Sequence, residues 1–146
     1  MQTKDSLLRM AKDFDNAIET REIDQILTYF HEDCTIKLLG LTLHGHSGAR
    51  KWLEWIFQHV NTISIDPLVI MVDDDVFFEE FIVNCTLPDG KEVQSKQAEV
   101  LIYENHLVKT LRLYFDRLDF AQSISSGWIT RKIINQIVNE SIKGLV

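Results

Sequence analysis

The first 60 residues alternate between helical and extended spacing of their apolar positions. Residues 5–19 form an apolar stripe on one side of a predicted helix, with charged residues opposite. The stripe consists of Leu7, Leu8, Ala11, Phe14, Ala17 and Ile18. Further helices are predicted over 23–30 and 48–60, and the extended segments 34–38 and 41–44 lie between them.

The middle of the chain changes to long apolar runs that end at turn-forming residues. The runs cover residues 63–72, 76–87, 91–104 and 107–117. They are separated by an acidic turn at 73–75, by Pro88-Asp89-Gly90 and by Asn105-His106, where Asn tolerates positive φ. Three helices followed by a meander of long antiparallel strands predict an α+β domain.

The end of the chain is predicted to be a separate helical extension. A stretch of small polar residues at 123–127 separates the domain, residues 1–122, from an extension over 123–146. Residues 128–143 read as an amphipathic helix that places Ile129, Ile133, Ile137 and Val138 together. Such a stripe is more apolar than a free surface helix should expose, so we expect it to cap the domain or to contact a partner chain.

The last hairpin indicates which residues face the core. If Asn105-His106 is a two-residue turn, Glu104 lies opposite Leu107 and Glu99 opposite Arg112. One face then carries apolar residues and is predicted to line the core: Ala98, Val100, Ile102, Leu111, Leu113 and Phe115. The other face, predicted to meet solvent or a second subunit, carries Ser95, Gln97, Glu99, Tyr103, Arg112, Tyr114 and Asp116. Glu99 and Arg112 are expected to form a cross-strand ion pair.

Composition narrows the classes of partner. The chain has 146 residues and a formal net charge of −7 without a basic stripe, so we expect no nucleic-acid partner. No apolar run approaches the roughly 20 residues that span a bilayer, and we expect no membrane association. Cys34 and Cys85 lie in apolar runs without metal-ligand spacing, which predicts buried free thiols in a cytoplasmic protein.

Three short motifs, taken in order, carry a family resemblance over about residues 5–120. Tyr29 to Ile36 leads from a helix into a β-branched strand, Leu43-His44-Gly45 precedes a helix, and Arg112 to Asp116 ends the last strand. This arrangement resembles the nuclear transport factor 2-like superfamily and, within it, the SnoaL-like branch of polyketide cyclase and ketosteroid isomerase-like proteins. The resemblance implies a cone-shaped, curved antiparallel sheet wrapped around three helices, an apolar pocket, and here an extra C-terminal helix.

Ketosteroid isomerases use an Asp base and an oxyanion hole made of a Tyr and a protonated Asp. The resemblance places these groups at Leu38, at Phe14 and near Val100, which are all apolar. Because a proton shuttle needs a titratable group within reach of the substrate, we expect no ketosteroid isomerase chemistry. Any reaction should then use groups at the rim of the pocket.

Four residues are candidates for such a rim. Asp116 matches the last-strand acid/base that the resemblance to SnoaL-like cyclases implies; the alternative is a carboxylate paired with Arg117 or a backbone amide. His44 precedes the turn at the predicted pocket mouth; the alternative is a hydrogen bond to the loop backbone. Glu79 and Glu80 interrupt an apolar strand, and alternation sends one of them inward unless both reach water at the strand end.

The predicted pocket is strongly apolar and suits a small hydrophobic ligand. Its predicted lining is Phe14, Ile18, Phe30, Leu38, Trp52, Ile56, Val100, Leu111, Leu113 and Phe115. The alternative is that these side chains simply fill the core. Two functions fit: ligand binding with or without cofactor-free and metal-free acid/base chemistry (isomerase, cyclase or hydrolase), and a non-catalytic interaction or dimerisation module that uses the outer sheet face and the C-terminal helix. Relatives in this fold dimerise through the outer sheet face, so we expect a homodimer.

Overall fold

The computed structural model describes residues 2–124 and 126–146. The described elements comprise five helices and one six-stranded, unclosed sheet. In chain order they are α1 (Lys4–Thr20), α2 (Ile23–Leu27), β1 (Phe30–Leu38), β2 (Leu41–His44), α3 (Gly45–His59), β3 (Thr62–Asp73), β4 (Val76–Thr86), β5 (Glu92–Glu104), β6 (Leu107–Phe115), α4 (Leu118–Ile124) and α5 (Trp128–Ser141).

The predicted α+β fold is confirmed, and helices pack against one face of the curved sheet. The strand order is β2-β1-β6-β5-β4-β3. Neighbouring strands are antiparallel except for β1 and β6, which are parallel. Because β1 returns beside the last strand, the N-terminal helices are drawn over the concave face, where the main core forms.

Helix α1 shows how local sequence sets these elements. The Thr3 hydroxyl accepts a hydrogen bond from the Ser6 amide, and the Ser6 hydroxyl accepts one from the Thr3 amide, which satisfies the free N–H groups of the first turn. The helix ends at Arg21, whose φ is 66°. The predicted stripe is confirmed, because Leu7, Ala11 and Phe14 are buried together with Ala17 and Ile18.

The predicted strands and the hairpin turn are confirmed, while several ends differ. Asn105 and His106 have φ values of 51° and 65°, as a two-residue turn with positive φ requires. Helix α2 ends at Leu27 instead of residue 30, because β1 begins early at Phe30. Strand β6 ends at Phe115 because the Asp116 carboxylate accepts a hydrogen bond from the Leu118 amide and starts the unpredicted helix α4.

The predicted facing of β5 is wrong, because β6 contains a bulge at Lys109. Tyr103 lies opposite Val108, but Ile102 lies opposite Thr110, so the register shifts by one residue. Beyond the bulge Glu99 pairs with Leu113 rather than with Arg112, and the predicted ion pair is not formed. Because side chains alternate along a strand, a register shift of one residue means that β5 turns inward the side chains that were predicted to face outward. The inward row is therefore Val93, Ser95, Gln97, Glu99, Leu101 and Tyr103.

The C-terminal segment lies apart from the main core. Helix α4 runs across the predicted boundary at residue 122, and α5 follows as a helix without buried residues. Trp128 is 74% exposed, and Ile129, Ile133 and Ile137 are also exposed. In the described part of the chain, no helix is long and apolar enough to cross a membrane.

Candidate functional site

An apolar cavity of about 320 Å³ opens between α3, α4 and the concave face of the sheet. Helix α3 contributes Trp52, Trp55, Ile56 and His59, and α4 contributes Phe120. The remaining lining comes from the sheet and the adjoining loops: Leu39, Val60, Ile63, Val83, Cys85, Leu87, Gln97, Leu113, Phe115 and Arg117. A cavity of this size with mostly apolar walls is typical of small-molecule sites.

A second depression is less suited to a ligand. It measures about 500 Å³ and crosses the ends of β3, β4 and β5. Its walls are mainly polar side chains that already bond one another, such as Thr62 with Thr86 and Gln94 with Asn84. We therefore place the candidate site in the apolar cavity.

Two polar groups lie deep in the wall of the cavity. Trp52 is 6% exposed, and its indole N–H has no hydrogen-bond partner among the described residues. The Gln97 amide nitrogen donates to the Ser95 hydroxyl at 3.2 Å, and that hydroxyl donates to the Asp119 carboxylate at 2.6 Å. This chain of bonds ties α4 to β5 and fixes the Gln97 amide. The Gln97 carbonyl oxygen is then the side-chain acceptor available to a ligand.

Two charged or titratable groups border the same cavity. The His59 Nδ1 atom lies 2.7 Å from the Trp55 carbonyl oxygen, which can only accept a hydrogen bond. The neutral ring therefore carries its proton on Nδ1 and its lone pair on Nε2, the arrangement of a general base. Arg117 donates from Nη2 to the Leu39 carbonyl oxygen at 2.9 Å, which holds a positive charge at the mouth.

The predicted ligand-binding residues divide into three groups. Trp52, Ile56, Leu113 and Phe115 line the cavity. Five others are buried in the main core, where packing explains them: Phe14, Ile18, Phe30, Leu38 and Leu111. Val100 lies half-buried opposite Arg112, on the face that points away from the core, because of the bulge in β6.

Three of the four predicted catalytic residues lie outside the cavity. Asp116 is exposed, and its carboxylate accepts from the Leu118 amide at 2.9 Å, which is the structural alternative considered above. His44 is exposed at the N-cap position of α3. Glu80 lies on the outer face with Lys96 Nζ 3.8 Å from its Oε1. Only Glu79 points inward, and it is 1% exposed.

Glu79 belongs to a buried acidic cluster that the sequence analysis did not predict. Side-chain oxygens of Asp15, Glu79 and Glu99 all lie within 4.8 Å of one another. Asp15 comes from α1, and the two glutamates face each other across β4 and β5. Within the described residues the hydroxyl of buried Tyr103 has no hydrogen-bond partner, and the Glu79 oxygens meet no N–H or hydroxyl donor, so the Asp15 carboxyl, when protonated, is the group that can bond them. Titratable groups therefore lie inside the domain as well as at the rim, where the sequence analysis expected the groups of any reaction.

The electrostatics of this cluster favour protonated carboxyls. Burial raises the pKa of Glu79 to about 7. Burial and the neighbouring Glu79 charge raise the pKa of Asp15 to about 8. Burial, with Asp15 and Glu79 close by, holds the pKa of Glu99 well above its usual range. Burial and the same carboxylates also raise the pKa of the Tyr103 phenol.

Two local signals could have located part of this cluster. Asp15 follows buried Ala11 by four residues and precedes buried Ile18 by three, so it lies on the apolar stripe of α1. Glu79 alternates with buried Phe77 and Phe81 along β4. Glu99 lies opposite Glu79 in the unbroken β4–β5 register, but a β5–β6 register without the bulge assigned it to the outer face.

Solved structures share this fold at low sequence identity. A nuclear transport factor 2-like protein of unknown function from Burkholderia pseudomallei K96243 is 17% identical, with a TM-score of 0.74 over 83% of this chain and 98% of that one. The epoxide hydrolase/cyclase-like enzyme SalBIII, described with a role in pyran ring formation in the polyether salinomycin, is 16% identical, with a TM-score of 0.71 over 82% and 97%. TerC, co-crystallized with polyporic acid, is 17% identical, with a TM-score of 0.72 over 83% and 99%.

Sequence comparison assigns the family. No curated protein matches the chain. The SnoaL-like domain model matches residues 11–109, which is more than half of the chain and includes both the acidic cluster and most of the cavity wall. The likeness to solved structures shows the fold, and the family match agrees with it. The chain therefore belongs to the SnoaL-like domain family and has the nuclear transport factor 2-like fold.

Proposed function

We propose that this SnoaL-like domain binds a small, mainly apolar molecule in the cavity between α3, α4 and the sheet. The observation that carries the proposal is a cavity of about 320 Å³ whose walls are apolar except for a few placed polar groups. Such a lining favours a ligand that is driven from water by its apolar surface and oriented by a small number of hydrogen bonds.

The polar groups narrow the ligand class. The Gln97 carbonyl oxygen would accept a hydrogen bond from a hydroxyl of the ligand. Arg117 at the mouth favours a negative or strongly polarised oxygen. The ligand class is therefore an apolar ring system or chain that carries hydroxyl and carbonyl oxygens.

A cofactor-free acid/base reaction would use His59. Its Nε2 carries the lone pair of the neutral ring because Nδ1 donates to the Trp55 carbonyl. The imidazole also lies beside the Trp55 indole, with ring centroids 5.5 Å apart, which restricts its rotation. An isomerase, cyclase or hydrolase needs such a base within reach of the bound substrate. SalBIII and TerC, the relatives described with ring formation and with polyporic acid, support this ligand class by analogy.

A thermal-shift screen with oxygenated polyketides, steroids and fatty acids tests the binding proposal. A ligand at a hundred times its Kd should add about 2.7 kcal/mol to the free energy of unfolding. Val83 lies on β4 and lines the cavity, so Val83→Phe places an additional ring in the cavity and should abolish the ligand-induced stabilisation. Ile82→Phe is the matched control, because Ile82 is the next residue on β4 and lies on the outer face. A flat screen, or equal shifts in the two variants, would contradict the proposal.

A second candidate function is protein interaction through the outer surface, which is compatible with ligand binding in the cavity. It is favoured by the exposed apolar stripe of α5, where Ile129, Ile133 and Ile137 are each more than half exposed. The sedimentation coefficient of the wild type, compared with that of an Ile133→Asp variant, tests it. A homodimer that becomes monomeric in the variant supports this function, and a wild-type monomer at all concentrations contradicts homodimerisation.

A further inference from the structure

We propose that Asp15, Glu79 and Glu99 form a buried binding site for one divalent cation that prefers oxygen ligands, such as Mn²⁺, Mg²⁺ or Ca²⁺. The site is distinct from the apolar cavity, because none of the three carboxyls lines that cavity. It also replaces the expectation from sequence that the domain has no metal-ligating residues.

The geometry of the carboxyl groups fits a single ion. Oxygens bound to the same cation at 2.0–2.6 Å can lie at most about 4 to 5 Å apart. One oxygen from each of Asp15, Glu79 and Glu99 meets this limit, since all three lie within 4.8 Å of one another. The ligands come from α1, β4 and β5, so packing of the helix on the sheet already brings them together.

Unpartnered polar atoms point to something that the protein alone does not supply. Glu79 is 1% exposed, and within the described part of the chain its carboxyl oxygens meet no N–H or hydroxyl donor, so the Asp15 carboxyl, when protonated, is the group that can bond them. The Tyr103 hydroxyl is a separate group from the carboxyls; its residue is 3% exposed and the hydroxyl has no partner there. Leaving such atoms unpaired in a buried site is unfavourable, and more so when a group is charged. A cation would satisfy the Glu79 oxygens directly, and the phenol could complete its surroundings.

The charge around the cluster is negative on every element that carries a ligand. Asp15 is half-buried on α1, and Glu19 lies one turn further on the solvent side of the same helix. The Glu19 charge acts on Asp15, while Glu99 and Glu79 act on Tyr103 from the sheet. No Lys or Arg side chain forms an ion pair with the three carboxyls among the described residues. A negative field without a counter-charge attracts a cation, and half-buried Asp15 offers the route from solvent.

The alternative is that the carboxyls share protons and bind no ion. This alternative leaves stability dependent on pH but insensitive to cations. The cation site predicts instead that added cation raises the free energy of unfolding, and that Glu79→Gln or Glu99→Gln removes this response. The two explanations therefore separate in one titration series.

The experiment is a titration of Mn²⁺ into chelator-treated, full-length protein at pH 8, with free Mn²⁺ followed by electron paramagnetic resonance. We expect one saturable site per chain, a Tm that rises with Mn²⁺, and displacement of the ion by Ca²⁺ or Mg²⁺. Glu79→Gln and Glu99→Gln should each weaken Mn²⁺ binding at least tenfold. Both replacements keep the side-chain shape and remove a buried negative charge, so the variants should fold.

Glu80→Gln is the matched control, because Glu80 is adjacent on β4 but lies on the outer face. It should bind Mn²⁺ as the wild type does. Absence of saturable binding of Mn²⁺, Mg²⁺ and Ca²⁺ in the millimolar range overturns the proposal and leaves proton sharing. Equal binding by Glu79→Gln, Glu99→Gln and Glu80→Gln also overturns it, because the ion would then lie elsewhere.

Discussion

The two ends of the inward-facing rows on β4 and β5 differ sharply in chemistry. One end, the apolar end, carries Val83, Cys85 and Val93 and opens into the cavity beneath α3 and α4. The other, the acidic end, carries Glu79, Glu99 and Tyr103 and is closed by α1. Both ends lie on the same face of the same strands, so secondary structure and strand position do not distinguish them.

Folding stability explains why the residues of the apolar end are buried, but it does not explain the buried carboxyls of the acidic end. Burying Val83 and its apolar neighbours is favourable, at roughly 25 cal/mol per Å² removed from water. Burying carboxyls that lack partners is unfavourable by several kcal/mol, and apolar residues of similar size would make a more stable core. The acidic end therefore reduces the stability of the isolated fold, which is the usual mark of a functional site.

The largest expected effect comes from removing the bulge in β6, which sets the register between β5 and β6. Deleting Lys109 restores unbroken alternation in β6 and forces either β5 or β6 to turn its inward row outward. We expect a loss of more than about 4 kcal/mol, because every inward side chain beyond the bulge would be misplaced. Urea denaturation followed by circular dichroism measures the loss.

Lys109→Ala is the control for the deletion. It keeps the number of residues in β6 and removes two side-chain contacts of Lys109 Nζ, one with Glu104 Oε2 at 3.2 Å and one with His31 Nδ1 at 3.3 Å. A partly exposed ion pair of this kind contributes about 0–1 kcal/mol. If the deletion is no more harmful than the alanine variant, the bulge does not decide the facing of β5.

A smaller effect is expected from Phe81, which lies between the two ends on β4. Phe81 is 4% exposed, pairs with Gln97 of the cavity wall, and lies two residues from both Glu79 and Val83 on the inward row of β4. Phe81→Ala should destabilise the fold by about 3–4 kcal/mol through the void that it leaves. Phe78→Ala, on the half-buried outer face of the same strand, should cost clearly less. Equal losses in urea denaturation would show that the two faces are packed alike.

The smallest of these effects is a pH dependence that only the acidic end should cause. The pKa of Glu79 rises from 4.5 to about 7 on folding, so the folded state binds this proton more tightly than the unfolded state. The resulting stabilisation is complete below pH 4.5 and is lost as pH rises through about 7. In chelator-treated protein, Glu79 alone should therefore account for a loss of about 2–3 kcal/mol in the free energy of unfolding between roughly pH 5 and 8.

Glu79→Gln isolates this contribution. The variant has no proton to lose at this position, so its free energy of unfolding should change less over the same pH range. Glu80→Gln, whose carboxylate lies on the outer face beside Lys96, should keep the wild-type pH profile. Identical profiles for Glu79→Gln and the wild type would mean that Glu79 is not the group that titrates.

Much of the fold could be predicted because its elements follow local rules. The stripe of α1, the turn at Asn105-His106 and the strand-rich middle all depend on residues close together in sequence. Helix α4 was missed because it follows from the Asp116 cap and from docking through Asp119 to Ser95 on β5. The cap is local, but the contact between Asp119 and Ser95 joins positions that are 24 residues apart in the sequence.

The candidate site was only partly predictable for the same reason. Trp52 and Phe115 could be assigned to the cavity, because apolar spacing and the family resemblance both indicate them. His59 was not singled out, since its role depends on α3 passing over the sheet. Glu99 was assigned to the outer face, because a β5–β6 register without a bulge aligns the apolar residues of both strands on one face.

The sequence by itself determined the class of fold, the family, and the presence of an apolar inner surface, because these follow from the spacing of apolar residues and turns. The tertiary structure decided which residues of β5 enter that surface, since a single extra residue in β6 reverses the facing of a whole strand. It also decided that Asp15, Glu79 and Glu99 meet, because their distance depends on α1 lying across two strands. Periodicity describes each element alone, whereas a site depends on how the elements are placed against each other.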